Sequence, residues 1–321
     1  TNLTRRMWGQ MVNTVRKVAI IGAGMTGLTV AHRLKLSGCE VHVFDKGRRP
    51  GGRVSMRRTS RGIFDHGAPV IDAVSEDFSN LLRRLGGVSG AESTFFGNPG
   101  MRAILDKYAR DVDVSQQVRV VALKREPEGC VLRCETGRSF AHFDAVISTI
   151  PAPQARDLAA TVDIKMTERL ADIRMQPVWT VMVEFTHALD EFLVPDGGPV
   201  LRADRMGDKP GRLDDRNAWV IHMTPAFTEV NLNTDPAVVA PHILQTFSDT
   251  CGVALPDVRY LDAHRWRYAF AEQPLGRPFL SSDDGTLLVG GDWTLGRRAE
   301  HGFESGRAMA NSVLSRVVEP V

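Results

Sequence analysis

The chain has 321 residues, of which 43% are hydrophobic and 24% are charged. These proportions are typical of a globular protein with a sizeable core, and they exclude disordered and fibrous proteins. The 40 basic and 38 acidic residues give a net charge of +2, so the composition predicts no nucleic-acid partner. The longest apolar stretch, Val18–Ala31, is too short to span a bilayer, and we expect no membrane partner.

The N-terminal segment and the cysteines bear on localisation. Residues 1–15 precede the first predicted strand and lack the apolar segment of a secretory signal, so we interpret them as an N-terminal extension. The four cysteines show no CxxC spacing, as in proteins of a reducing compartment. We therefore expect a cytoplasmic protein.

The first predicted elements are a strand, a helix and a second strand. Lys17–Ile21 is a β-branched apolar run, typical of a buried parallel strand. Thr26–Ser37 has apolar residues at helical spacing, and Glu40–Phe44 alternates in the manner of a strand. This order predicts a βαβ unit.

The turn between the first strand and the helix contains a GxGxxG motif formed by Gly22, Gly24 and Gly27. Glycines permit a tight turn there and let the backbone approach a pyrophosphate, whose charge is stabilised at the helix N-terminus. Asp45 follows the second strand, where a carboxylate accepts hydrogen bonds from ribose hydroxyls. The pattern predicts FAD or NAD rather than NADP at this site; the alternative is a glycine-rich turn without a ligand.

The segment Lys46–Arg61 contains seven basic residues and no acidic residue. A nucleic-acid patch is one interpretation, but the adjoining dinucleotide motif favours neutralisation of a pyrophosphate and of an anionic substrate. About half of these side chains are expected to be merely solvated.

The rest of the chain divides into a middle region and a C-terminal region that again has the sequence pattern of a buried strand followed by a helix. Strand patterns precede and follow a region of mixed strands and helices that begins near Gln154 and ends near Phe270. The predicted elements in chain order are strands Val118–Leu123, Gly129–Cys134, Phe143–Thr149, Val178–Phe185 and Ala218–Met223, a helix at Val238–Thr250, a strand at Thr286–Val289 and a C-terminal helix.

The segment Tyr260–Phe270 has a distinct alternation. If it is extended, its aromatic residues and His264 share one face, while Arg265 and Arg267 share the other. An aromatic face with one histidine suits a flat substrate or a flavin. Packing between sheet layers explains the same aromatic residues equally well, so both interpretations stay open.

Hydrolytic and metal-dependent chemistry lack sequence support. The chain has no HExxH motif, no Ser/His/Asp elbow and no paired cysteine ligands, and its nine histidines show no metal-ligand spacing. We therefore expect no metal site.

Several motifs together resemble the amine-oxidase-like flavoproteins, and more narrowly their renalase-like branch. The string DKGRRPGGRVSMRR from Asp45, followed by FDHGA from Phe64, carries the resemblance first. Later segments with the same order and spacing are Gly97–Met101, Ser148–Gln154, His264–Ala269, Gly290–Trp293 and Glu300–Gly306.

The resemblance implies an α/β fold: a doubly wound Rossmann-type FAD-binding domain with an inserted α+β substrate domain. The FAD-binding domain is expected to comprise residues 16–72, 98–153 and 271–321. The substrate-binding domain is expected to comprise residues 73–97 and 154–270. FAD is the implied cofactor.

The resemblance also implies roles for individual residues. His264 is the candidate catalytic residue, expected to position the substrate rather than to act as an obligatory base. The expected substrate contacts are His66, Trp266, Tyr268 and Trp293. The expected cofactor contacts are Gly22, Gly24, Met25, Thr26, Gly27, Asp45, Lys46, Gly52, Arg53, Val118, Pro151, Gly291, Asp292, Glu300 and Gly302.

The implied activity is oxidation of the 2- or 6-dihydro isomers of NAD(P)H, with O2 as the acceptor and NAD(P)+ and H2O2 as products. Pro69 stands after Gly67-Ala68 where the family commonly has glutamine, His66 lies just before this glycine, and the stretch near residues 86–96 is shorter than usual. These departures keep an alternative open: an FAD-dependent amine oxidase or dehydrogenase for a different small molecule, in a biosynthetic role. A flavin-binding protein without turnover is a third interpretation.

Overall fold

The computed structural model describes residues 17–212 and 217–316. The predicted N-terminal extension lies outside these residues. Within them no helix is both long and apolar enough to cross a membrane.

The helices and strands follow the predicted order closely, with several short strands added. The helices are α1 (Met25–Leu36), α2 (Glu76–Arg84), α3 (Arg102–Tyr108), α4 (Ala152–Ala159), α5 (Ile164–Leu170), α6 (Pro225–Val230), α7 (Pro236–Cys251) and α8 (Ala299–Leu314). The strands are β1 (Lys17–Ile21), β2 (Glu40–Phe44), β3 (Arg57–Thr59), β4 (Gly62–Phe64), β5 (Ile71–Asp72), β6 (Val88–Ser89), β7 (Thr94–Phe96), β8 (Val114–Ser115), β9 (Val120–Glu126), β10 (Gly129–Cys134), β11 (Ser139–Phe143), β12 (Ala145–Ser148), β13 (Met175–Phe185), β14 (Val200–Arg205), β15 (Ala218–Met223), β16 (Val258–Ala271), β17 (Phe279–Ser281) and β18 (Leu287–Gly290).

A six-stranded sheet in the order β17-β18-β12-β1-β2-β8 forms the first layer, and only the β17–β18 pair is antiparallel. Alternate residues of β1 enter different cores, as the period of a strand requires. Val18 and Ile20 pack with α1 and α8, whereas Ala19 and Ile21 pack with α4, α5 and the three-stranded sheet β11-β10-β9. Cover on both faces explains the continuous apolar sequence of β1 and confirms the predicted Rossmann-type α/β fold.

A four-stranded antiparallel sheet in the order β14-β15-β13-β16 forms the second unit. One face is apolar and packs on α7, with Trp179, Val181 and Ile221 in the shared core. The opposite face carries a cross-strand row in which His264 pairs with Thr180, and Thr180 pairs with His222. The sheet therefore has one structural face and one face with polar side chains.

The predicted domain boundaries stay a prediction. The strands of the six-stranded sheet come from separate stretches of the chain, whereas the four-stranded sheet is built entirely within Met175–Ala271. The short segment between α2 and α3 forms β6 and β7, and β7 pairs with both β6 and β5.

Candidate active site

A cavity of about 1300 Å³ lies between the carboxyl ends of β1 and β2 and the polar face of the four-stranded sheet. Gly22 and Asp45 line it on one side, and His264 and Trp266 line it on the other. Its volume exceeds the range of roughly 300–1,000 Å³ that is typical of pockets for one drug-sized ligand. Ligands of open α/β sheets bind at this position, outside the carboxyl ends of the strands.

The glycine turn fits a dinucleotide phosphate for steric reasons. Gly24 precedes α1 with φ −83°, and no side chain caps the helix there. A β-carbon on Gly24 would meet only the Cα atom of Gly52, at 4.0 Å, whereas one on Gly27 would overlap the carbonyl oxygen of Gly22. The uncapped amides of the first turn are therefore available to an anion, and Gly27 permits the close packing of α1 on β1.

Asp45 follows β2 and braces the same turn. Its carboxylate accepts hydrogen bonds from the backbone N–H groups of Ala23 and Gly47, both at 2.6 Å. The side chain also lines the cavity, so its remaining lone pairs can accept from ribose hydroxyls. The structure thus adds a bracing role that the sequence pattern did not indicate.

Arg53 joins three parts of the chain at the cavity. Its guanidinium forms an ion pair with Asp292 and donates a hydrogen bond to the carbonyl oxygen of Ala269 in β16. The preceding Gly52 has φ +56°, and a β-carbon there would lie 3.3 Å from the Cα atom of Gly24. The two glycine turns are therefore in contact, and Arg53 and Asp292 lie beside them.

Most other expected cofactor residues also face the cavity. The pKa of the Lys46 amine is lowered, first by burial and then by the nearby Arg119 guanidinium. The remaining expected cofactor residues that line the cavity are Met25, Thr26, Val118, Pro151 and Gly302.

Four of the expected contacts do not line the cavity and have other partners in the structure. Gly27 packs against Gly22, as described above, and the Gly291 amide donates to the Ser305 hydroxyl at 3.0 Å. The Glu300 carboxylate accepts from the amides of Val74 and Ser75 at 2.6 and 2.7 Å, which ties α8 to the start of α2.

Trp293 is the fourth of these residues and was expected to contact the substrate. Its side chain is buried in the core beneath the six-stranded sheet, and its indole donates to the carbonyl oxygen of Ile150 at 3.2 Å. A motif fixes the position of a residue along the chain, but not which of its neighbours the residue contacts.

His66, His264 and Trp266 form an aromatic cluster on the substrate side of the cavity. The centroids of His66 and His264 are 4.9 Å apart, and those of His264 and Trp266 are 4.3 Å apart, both in edge-on geometry. The pKa of His66 is lowered to about 3, first by burial and then by the nearby His264 and Arg57, and the pKa of His264 is lowered to about 4, first by burial and then by Arg57. Both imidazoles are therefore uncharged at neutral pH. Tyr268 lines the same cavity.

His222 and the buried cluster that contains Asp65 and Lys209 also belong to the site, although no motif in the sequence indicates them. His222 lines the cavity from β15, and burial lowers its pKa to about 4. Asp65 is fully buried and forms ion pairs with Lys209 and Arg212. Alternation within the predicted strand could place His222 on one face, but only the strand register brings that face to the cavity.

Comparison with known proteins agrees with this geometry. Residues 20–85 match the family described as an NAD(P)-binding Rossmann-like domain. Residues 88–314, more than half of the chain, match the family described as flavin containing amine oxidoreductase.

Individual relatives share shorter segments. A segment of 68 residues is 47% identical to "Possible lysine-specific histone demethylase 1" of Drosophila melanogaster and covers 21% of this chain and 8% of that protein. A segment of 74 residues is 34% identical to mitochondrial protoporphyrinogen oxidase of Nicotiana tabacum and covers 23% of this chain and 15% of that protein. The chain thus matches only a small part of the length of these relatives.

A solved structure of putrescine oxidase with redesigned cofactor binding has a TM-score of 0.72, with 12% identity, over 94% of this chain and 99% of that chain. At this identity the likeness shows the fold alone. The match over residues 88–314 identifies the family, and the uncapped glycine turn beside a cavity of dinucleotide size agrees with its cofactor. The chain therefore belongs to the flavin containing amine oxidoreductase family and is an FAD-dependent oxidoreductase.

Proposed function

We propose that the chain is an oxidase of the renalase-like type that acts on the 2- and 6-dihydro isomers of NAD(P)H. O2 is the second substrate, and the products are NAD(P)+ and H2O2. When bound, FAD supplies the two-electron acceptor for the hydride and returns the electrons to O2. The tasks of the protein are to bind a flat ring beside the cofactor, to orient it and to exclude water.

The observation that carries this proposal is the uncharged cluster of His66, His264 and Trp266. The low pKa values of the two imidazoles make them poor proton acceptors at neutral pH. A dihydropyridine needs no such acceptor, because its ring nitrogen lone pair expels the hydride. The cluster then positions a planar ring by stacking and by hydrogen bonds, and His264 is a positioning group.

The charges of the cavity also favour an anionic substrate. Arg265, Arg267 and Arg297 line it, and none of them forms an ion pair with a carboxylate among the described residues. Arg265 instead donates to the carbonyl oxygen of Leu232, and Arg297 donates to the side chain of Gln176. A phosphate-bearing substrate would be attracted by these groups, and a cationic amine would be repelled.

The cofactor contacts that we propose are those facing the cavity. Gly22, Gly24 and the first turn of α1 bind the pyrophosphate, and Asp45 binds the ribose. Arg53 lies where it can neutralise negative charge, with Asp292 holding its guanidinium in place. Gly302 and Ala299 bring the start of α8 to the cavity, where helix amides stabilise negative charge.

Amine oxidation is the second candidate, and the uncharged state of His264 is compatible with it. A neutral imidazole beside the substrate adds no positive charge, so it does not oppose binding of an amine. The nearby Asp292 carboxylate is already paired with Arg53 and is not free to bind an ammonium group. The arginines of the cavity therefore make this the weaker candidate.

Anaerobic mixing distinguishes the candidates. The FAD-loaded protein is mixed in separate experiments with 2-dihydro- and 6-dihydro-NAD(P)H, with ordinary NADH and with a panel of amines, while the visible absorbance of the flavin is followed. Rapid bleaching by the isomers alone, with recovery and one equivalent of H2O2 on admitting air, supports the proposal. Bleaching by an amine alone selects the second candidate, and no bleaching by any compound refutes both.

A further inference from the structure

The segment His66–Pro69 has three of its four carbonyl oxygens bound by side chains from 209–266. The His66 carbonyl accepts from the Trp266 indole at 2.8 Å, and the Gly67 carbonyl accepts from His222 Nε2 at 2.9 Å. The Pro69 carbonyl accepts from Lys209 Nζ at 2.7 Å. We call these three donors, Trp266, His222 and Lys209, the carbonyl clamp.

The amides of the same segment point the other way. Gly67 N donates to the carbonyl oxygen of Ser55 at 3.3 Å, and Ala68 N donates to that of Arg53 at 2.8 Å. A β-carbon on Gly67 would overlap the Arg53 carbonyl oxygen, so no side chain can separate the two backbones there. The segment therefore bridges the cofactor-binding loop that contains Arg53 and the four-stranded sheet.

The clamp donors are themselves held in place. His222 lies within β15 and pairs with Thr180 on one side and Arg202 on the other. Because a carbonyl oxygen only accepts, His222 Nε2 must carry the proton of the neutral imidazole. The ring is buried, so it donates this bond without carrying a charge.

Lys209 is fixed by a buried carboxylate. Its Nζ atom donates to Asp65 Oδ2 at 2.9 Å, and Arg212 donates to the same oxygen at 2.6 Å. The other oxygen of Asp65 accepts from the backbone amide of Met101 at 2.9 Å. A buried ammonium with a bound carboxylate and a bound carbonyl is oriented in one geometry.

We propose that His222 and Lys209 are positioning residues that act through the backbone of His66–Pro69. All four residues of this segment line the cavity, and it carries the His66 ring against His264. By fixing the Gly67 and Pro69 carbonyls, the two side chains set the distance between the substrate-side aromatic cluster and the cofactor-binding loop. Misplacement of a bound substrate by even 1 Å costs about a hundredfold in rate in well-oriented sites, so a fixed segment has catalytic value.

Paired variants separate this role from general stability. His222→Gln keeps an amide donor close to the position of Nε2, whereas His222→Met removes the donor at similar volume. Lys209→Met removes the second donor and leaves Asp65 paired with Arg212. Arg205→Gln is the control, because Arg205 is an exposed partner of Asp208 close to Lys209 in the chain.

The first measurement is hydrogen exchange of the holoenzyme, followed by mass spectrometry on peptides that contain the Gly67 and Ala68 amides. We expect exchange there to be roughly tenfold faster in His222→Met and in Lys209→Met, and unchanged in His222→Gln and in Arg205→Gln. The second measurement is the limiting rate of flavin reduction, which we expect to fall about tenfold in the two Met variants at unchanged FAD content.

The choice of reductant in the second measurement rests on the proposed function, but the exchange measurement does not. If no dihydronicotinamide isomer reduces the flavin, the proposed function fails and the exchange result still tests the clamp. Unchanged exchange in Lys209→Met overturns the clamp, and so does equal loss of reduction rate in His222→Gln and His222→Met. If His222→Met does not fold, Lys209→Met beside its Arg205→Gln control decides the question.

Discussion

The Trp266 indole donates to the carbonyl oxygen of His66 at 2.8 Å, and the two rings stack with centroids 5.4 Å apart and planes 24° apart. One residue belongs to β16 and the other follows β4, so the aromatic wall of the cavity is assembled from two distant parts of the chain. The hydrogen bond fixes the backbone of His66, and the stacking fixes its ring. Substitutions near this wall should therefore affect substrate orientation before they affect cofactor binding.

The first prediction separates cofactor binding from folding at the glycine turn. Gly24→Val should sharply reduce the bound FAD at little cost in stability, because Gly24 has φ −83° and its β-carbon would project into the cavity. The amount of FAD released by acid measures the loss of cofactor binding, and the melting temperature of the apoprotein measures the change in stability. Release of all the flavin by acid would also show that His66 is not a covalent attachment site.

Gly27→Ala is the matched comparison. Its β-carbon would overlap the Gly22 carbonyl oxygen, so this change should destabilise the apoprotein by about 1–3 kcal/mol. Stoichiometric flavin in Gly24→Val would show that the cofactor does not approach the turn there.

The second prediction concerns Arg53. Arg53→Ala removes the partner of the Asp292 carboxylate and a donor to the Ala269 carbonyl oxygen. We expect the affinity for FAD to fall roughly tenfold, which corresponds to about 1.4 kcal/mol of binding free energy. Equilibrium dialysis against FAD measures the change, and added salt should reproduce part of it.

Arg61→Ala provides the control for Arg53, because Arg61 belongs to the same basic segment but does not line the cavity. Equal FAD affinity in the two variants would assign Arg53 to the solvated part of that segment.

The first βαβ unit could be predicted from sequence almost residue by residue. Strand β1 has its predicted bounds, and α1 begins one residue before the predicted helix. Local signals suffice there, because an apolar run, a glycine turn and helical spacing follow one another without long-range pairing. The alternation of Tyr260–Phe270 agrees with the extended strand β16, but it does not separate cavity-lining residues from the others, because Arg265 and Arg267 line the cavity together with His264 and Trp266.

The remaining features depend on contacts between residues far apart in the chain. Lys209 reaches Asp65 across 144 positions, and His222 reaches Gly67 across 155. No short sequence pattern predicts a contact between residues so far apart in the chain. For the same reason Glu300 was assigned to the cofactor, although its carboxylate binds the amides before α2.

The third prediction follows from the buried His222. Burial lowers its pKa to about 4 in the folded protein, below the value of 6.5 for an exposed histidine. The unfolded chain therefore binds more protons between these values, so stability is fully present above about pH 6.5 and is lost as the pH falls toward 4. Between pH 7.5 and 5 the free energy of unfolding should fall about 2 kcal/mol more in the wild type than in His222→Gln.

Urea unfolding of both proteins with saturating FAD, at half-unit steps of pH, measures this difference. Carboxylates common to both proteins contribute equally and cancel in the comparison. If the free energy of unfolding depends on pH in the same way in both proteins, His222 has the same pKa in the folded and unfolded states. That result would contradict the lowering of its pKa by burial.

The fourth prediction concerns His264. Its pKa is lowered to about 4, first by burial and then by Arg57 and Arg265, so the imidazole is uncharged above about pH 5. If His264 is a neutral positioning group, the rate of flavin reduction should be independent of pH between 6 and 9. His264→Asn should then lower that rate roughly tenfold, or about 1.4 kcal/mol, because a hydrogen-bonding group of similar reach remains. Stopped-flow reduction by the 2- and 6-dihydro isomers across this pH range measures both properties.

His187→Asn is the control for His264→Asn, because His187 follows β13 at the exposed surface and does not line the cavity. The rate of flavin reduction in His187→Asn should equal that of the wild type. An obligatory base behaves differently, since its removal costs on the order of a hundredfold or more and abolishes a pH dependence near 6 to 7. That outcome would contradict the positioning role. It would also favour amine oxidation over hydride loss from a dihydropyridine, because a substrate whose ring nitrogen lone pair expels the hydride from a ring carbon gains nothing from a base at this position.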